Sequence, residues 1–101
     1  MFTPRYQSDE TDLLVQAMLS LKTSEEAYRF LEDALTVQEM RSISQRMQVA
    51  SILDRGGATY QEIAAGTGAS TTTIGRVNSA LRYGADGYRL VLDRMKEKTE
   101  D

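Results

Sequence analysis

Residues 59–81 read TYQEIAAGTGASTTTIGRVNSAL. Two helical patterns flank a glycine, and the residue types fall where a helix-turn-helix requires them. Ala64 is small where a second helix must cross the first closely. Four residues on, Gly68 supplies the positive φ of a tight turn. Ala69 is small enough to be buried directly after it. Ile74 and Val77 are branched and apolar, facing back to Ile63 on the first helix. All of these positions agree without a gap.

Helix boundaries support the same reading. Thr59 and Glu62 form an S/T-x-x-E capping box opening a helix expected from Tyr60 to about Ala65, where Gly66-Thr67-Gly68-Ala69 interrupts it. Ser70 is a good N-cap for the next helix, which runs to about Tyr83 and ends at Gly84. Upstream, Thr23/Glu26 and Thr36/Glu39 are further capping boxes. Thr23 opens a helix with Ala27, Phe30, Leu31, Ala34 and Leu35 inward. Thr36 opens one with Met40, Ile43, Met47 and Ala50 on a stripe, Ile52 and Leu53 near its end, and Gly56-Gly57 as its stop. Ser8 or Asp9 precedes a first stripe of Leu13, Leu14, Ala17, Met18 and Leu21. Asp86 caps a last helix with Tyr88, Val91, Leu92 and Met95, expected to fray into KEKTED. No segment alternates with period two, and the one proline, Pro4, lies in the tail. The expectation is an all-α fold of six short helices in a single domain, 1–101, with 59–83 as the helix-turn-helix. Such a chain builds a thin core. The first two helices carry apolar residues on more than one stripe, so residues 9–35 are expected mainly to form a homodimer.

Composition removes whole classes of function. The 101 residues contain no cysteine and no histidine. Disulfides, thiol chemistry, a Ser–His–Asp triad and His or Cys metal sites are excluded. No apolar run approaches the ~20 residues of a membrane span. The opening MFTPRYQSDETD is not a signal peptide, so a cytoplasmic protein without membrane attachment is expected. Catalysis is not expected either. Lysines occur only at Lys22, Lys96 and Lys98, and Gly66-Thr67-Gly68 lacks the Gly-Lys-Ser/Thr of a phosphate loop. The adjacent acid pairs Asp9-Glu10, Glu25-Glu26 and Glu32-Asp33 diverge on a helix. Neither a metal nor a cofactor is called for.

The net charge of −3 conceals an uneven distribution. Residues 1–40 hold three basic residues against eight acids, whereas 41–89 hold six arginines against three acids. A planar guanidinium suits phosphates and guanine edges. Removing the inward Ile74, Val77 and Leu81 leaves Ser70, Thr71, Thr72, Thr73, Gly75, Arg76 and Asn78 as outward candidates on the second helix. Threonine hydroxyls reach phosphates or base edges, and their methyls meet thymine methyls. Gly75 is out of place in a helix interior. Close approach of DNA or of a ligand accounts for it, as does relief of crowding against a neighbouring helix. The pattern allows two functions: double-stranded DNA binding, or a helical dimer using the helix pair for protein interaction or packing.

The stretch ALTVQEMRSISQRMQVASILDRGGATYQEIAAGTGASTTTIGRVNSAL resembles the Trp repressor superfamily, most closely its YerC/YecD-type members. The resemblance implies an intertwined homodimer placing two recognition helices in successive major grooves about 34 Å apart. It implies a sequence-specific DNA-binding transcription regulator, a repressor, with Ser70, Thr71, Thr72, Thr73 and Arg76 facing bases or phosphates and Thr59 and Gln61 supporting backbone contacts. It also implies an effector site. Arg46 and Arg76 match the two arginines that flank the tryptophan indole in the Trp repressor, and Thr36 matches a threonine near that pocket. Three departures argue against free tryptophan as the ligand: Val77 stands in place of glycine, Ala80 in place of a serine, and Asp33 in place of an apolar residue. Gln61 and Ala64 replace basic residues on the helix before the turn, which implies fewer phosphate contacts and a shallower salt dependence. The resemblance thus leaves two outcomes, a regulator modulated by a small molecule other than tryptophan and an effector-free one.

Overall fold

A computed structural model describes the backbone of residues 1–100 and side chains through Lys98. Among the described residues there are six α-helices and no strands: α1 (Asp9–Leu19), α2 (Ser24–Ala34), α3 (Val37–Arg55), α4 (Tyr60–Thr67), α5 (Thr71–Tyr83) and α6 (Gly87–Glu100). The all-α expectation holds. Two compact units are distinguished, Met1–Met40 and the chain from Arg41 onward, with α3 beginning in the first and continuing through the second.

In the first unit, Ser8 rather than Asp9 is the N-cap of α1: its hydroxyl accepts the Thr11 amide, and Thr11 reciprocates on the Ser8 amide. Thr23 caps α2 through the Glu26 amide, but the Glu26 carboxylate turns back to the Lys22 amide at 2.9 Å, so this box is only half formed. The Thr36/Glu39 box is complete. Neither α1 nor α2 contains a buried residue. The first stripe is exposed: Leu13, Leu14 and Met18 all face solvent.

The second unit holds the core. Val49, Ala50 and Leu53 of α3 pack with Ile63 of α4, Ala69 of the turn, Ile74, Val77 and Leu81 of α5, and Leu92 of α6. Their 3–4 spacing on α5 and α3 makes one inward stripe on each helix. Of the expected stripe members, Ile43, Val91 and Met95 fall outside this core, each about half exposed. Gly56 and Gly57 end α3 with φ of +77° and +85°. Two boundaries differ from the expectation. α4 continues through Gly66 to Thr67, because the stop is made by Gly68 alone. α6 stays helical to Glu100, where the sequence predicts fraying into KEKTED; Asp101 lies outside the described residues. Asp86 precedes α6 with φ +64°, and its carbonyl accepts the Leu90 amide.

A charged clamp joins the ends of α3 and α6. The Asp54 carboxylate, 7% exposed, lies 2.7 Å from Arg89 and 2.6 Å from Lys96, while Arg89 also reaches Asp93 at 3.2 Å. Hydrogen bonds from Lys96 and then Arg89 hold the Asp54 carboxyl below its ordinary value, against the opposing effect of burial. One of the six arginines of the basic stretch is therefore structural.

Candidate nucleic-acid interface

The helix-turn-helix is held by a closed set of hydrogen bonds. Thr59 accepts the Glu62 amide and the Glu62 carboxylate accepts the Thr59 amide at 3.0 Å, fixing the start of α4. The bond from the Thr59 amide, and then interaction with the Thr59 hydroxyl, hold the Glu62 carboxyl below its ordinary value. At the other end Gly68 adopts φ +79°, and its amide donates to the Ala64 carbonyl. Thr67 stitches the bend: its hydroxyl donates to the Ile63 carbonyl at 2.7 Å and accepts the Ala69 amide at 3.1 Å. Gln45 of α3 donates from Nε2 to the Thr67 carbonyl at 3.3 Å. Ile63, Ala69, Ile74 and Val77 are buried beneath this turn.

α5 then starts at Ser70, whose hydroxyl accepts the Thr73 amide and donates to the Thr73 hydroxyl at 3.1 Å. Ser70 and Thr73 thus first serve the helix. The side chains of Thr71 and Thr72 in the first turn are exposed and make no hydrogen bond among the described residues. Arg76 is exposed, without an ion pair or hydrogen bond among the described residues. α5 carries no acidic residue. Its helical period adds Ser79 and Tyr83 to the exposed side. Neither is among the residues of the helix start, but the stripe complementary to Ile74, Val77 and Leu81 contains both. Thr59 and Gln61, at the start of α4, are exposed.

The candidate effector residues divide. Arg46 and Arg76 line one cavity of about 390 Å³ together with Ser42, Gln45, Thr73, Val77, Ala80 and Tyr88. The Arg46 guanidinium is steadied by the Ser42 carbonyl and hydroxyl, both at 3.4 Å. No acid lines this cavity. Val77 is buried in the core as well, so its bulk is committed to packing. Thr73, expected on the outward face, is half-buried and turned to the cavity. Thr36 belongs to the first unit, where its hydroxyl caps α3 through the Glu39 amide. Ser42 and Gln45 were legible as neighbours of Arg46 on α3, at i−4 and i−1. Tyr88 was not, since nothing in the sequence specifies where α6 packs.

The family profile described as Trp repressor protein matches residues 9–96. The chain belongs to the Trp repressor family. It is 48% identical over 93 residues to the uncharacterized protein YerC of Bacillus subtilis (strain 168), covering 92% of this chain and 88% of that one. Among solved structures it is similar to a TrpR-like protein from Eubacterium eligens ATCC 27750, with a TM-score of 0.82 and 49% identity over 89% of this chain and 92% of that chain. It is likewise similar to a candidate Trp repressor from Staphylococcus aureus, with a TM-score of 0.83 and 44% identity over 89% of each chain. The family match spans residues of all six helices and not only the helix-turn-helix. No helix of the described residues is long and apolar enough to cross a membrane.

Proposed function

We propose that this Trp repressor family member is a cytoplasmic, homodimeric, sequence-specific transcription repressor that places α5 in the major groove of double-stranded DNA. The observation that carries the reading is α5 itself. Beyond the Gly68 turn its outer side is exposed, bears hydroxyls and Arg76, and has no acid. A helix without acids approaches phosphates free of like-charge repulsion, and its arginine replaces a condensed counterion. Thr71 and Thr72 donate to phosphates or base edges, and Arg76 reaches a phosphate or a guanine edge. Ser70 and Thr73 contribute through the helix start that they hold. Thr59 and Gln61 support backbone contacts from α4. Homodimerisation is supported by α1 and α2, which bury nothing within one chain.

Selection from a random duplex pool tests this reading. The expected product is a two-fold site with half-sites about 10 base pairs apart. On it, Arg76→Ala lowers affinity about 10-fold at ~100 mM salt. A pool that never enriches, or an Arg76→Ala protein that binds as wild type does, counts against the assignment. In the alternative, where the helix pair serves protein interaction or packing, the pool stays random.

The cavity favours an added effector role. Two arginines, hydroxyls and an amide without any acid suit a small anion, such as a carboxylate or phosphate compound. Arg46 and Arg76 are its ligands in this reading; Thr36 enters through the family resemblance alone. Thermal-shift measurements with amino acids and nucleotides check it, since a ligand at 100 times its Kd adds about 2.7 kcal/mol of stability. No shift with any of them marks an effector-free regulator.

A further inference from the structure

Gly75 stands in the middle of α5, with helical residues on both sides (Thr71–Tyr83). A glycine there weakens the helix relative to alanine, so something must require the missing side chain. Crowding within the chain does not: a Cβ built at Gly75 meets nothing within 4 Å. Its φ does not require glycine either, because the positive-φ glycines are Gly56, Gly57 and Gly68. The cavity does not: Thr73, Arg76, Val77 and Ala80 of α5 line it, and Gly75 is absent from that lining. Gly66 also has open space around it, but it lies in the last turn of α4, where the helix ends at once. Gly75 instead shares a helical face with Thr72, Arg76 and Ser79, at i, i+3, i+4 and i+7. That face consists of hydroxyls and one arginine whose guanidinium has no partner among the described residues.

We infer that Gly75 is a specificity-determining position at which the α5 backbone comes into direct contact with the DNA duplex, a gap left between Thr72, Arg76 and Ser79 for a base edge or sugar-phosphate. The inference rests on the DNA-binding reading. The gap sets how deeply the helix seats, and so which base-pair edges the flanking side chains reach.

The experiment compares wild type, Gly75→Ala and Gly75→Leu on the duplex selected by the wild-type protein. Both replacements are better helix formers, and the alanine Cβ meets no neighbour within 4 Å, so Gly75→Ala raises Tm by about 4–8 °C. Affinity falls about 10-fold for alanine and about 100-fold or more for leucine. The slope of log affinity against log salt stays as in wild type, because no charge is removed. Re-selection with Gly75→Leu enriches a different sequence. Variants with a raised Tm and undiminished affinity overturn the inference and leave the DNA reading intact. A lowered Tm for Gly75→Ala overturns it too, by showing that the chain itself needs the space. Failure of the wild-type protein to select any duplex is read separately, and it removes the DNA reading together with this inference.

Discussion

Gly68 shows what one residue contributes. With φ at +79°, a side chain is strained there whatever the space, although a Cβ would lie an ordinary 3.8 Å from Gln45 Nε2. Gly68→Ala is therefore expected to lose about 1–2 kcal/mol, all of it backbone conformation, and Gly68→Asn to lose less. Urea unfolding checks the order, and an alanine variant as stable as wild type would show that the turn does not need the left-handed conformation. Asp54 acts through charge. Its folded pKa is depressed, so the stability it adds is complete above the ordinary carboxylate value of 3.8. It is lost as pH falls from there through the lower folded value. Asp54→Asn is expected to cost about 1–2 kcal/mol at pH 7, with a smaller loss of stability on acidification below pH ~4 than wild type shows. Parallel acid-unfolding profiles for the two proteins would contradict the clamp. Gly68 was legible because φ is a local property. Asp54 was not, because its partners sit on α6 and charge patterns along one helix do not reveal a neighbour on another.

At the scale of elements, the capping residues locate the helix starts: the Thr36/Glu39 and Thr59/Glu62 boxes fall where the S/T-x-x-E spacing puts them, and a third complete box uses Thr11 in place of the acid. The failures are instructive. Glu26 accepts the Lys22 amide and not that of the Thr23 cap, a choice that composition does not fix. α4 runs through Gly66 because intrahelical bonds tolerate a glycine that keeps helical φ; only the Gly68 turn ends it. α6 carries acids and bases in alternation over KEKTE, and it stays helical where the sequence suggested fraying. On the site, Arg46 and Arg76 line one cavity. Thr73 turned to that cavity because its position, one residue before Ile74, lies on the flank of the buried stripe. Thr59→Ala belongs to this scale. Removing the cap leaves the Glu62 amide unsatisfied and costs about 1 kcal/mol, while Thr59→Ser restores it. Thermal melts of the pair check this. Equal stability of the alanine and threonine proteins would mean that water replaces the hydroxyl at that helix end without loss.

The molecule as a whole is lopsided. All nine buried hydrophobic side chains among the described residues lie between Val49 and Leu92, and the unit Met1–Met40 buries none. Ordering a residue's backbone costs about 1–2 kcal/mol, and two 11-residue helices are marginal alone in water. Yet α1 leaves Leu13, Val15 and Leu19 at 69, 51 and 80% exposure. In the proposed homodimer this apolar surface, on helices without a core of their own, is what a second copy would bury. Two-fold pairing would also supply what one α5 lacks, a second reading helix at fixed spacing on the duplex. Sedimentation equilibrium at micromolar concentration is expected to give twice the 11.3 kDa chain mass. Leu13→Asp with Leu19→Asp is expected to weaken association at least 100-fold, because each removes about 1.5–3 kcal/mol of apolar burial and adds a desolvated charge. Helical circular dichroism should fall with it, as α1 and α2 lose their partner. The second unit keeps its own core, so α4 and α5 should remain folded and the isolated half-site should still be bound, weakly. A stable single-chain species with full helicity at micromolar concentration would remove the dimer. The paired recognition helices would go with it, since one α5 grips only one half-site.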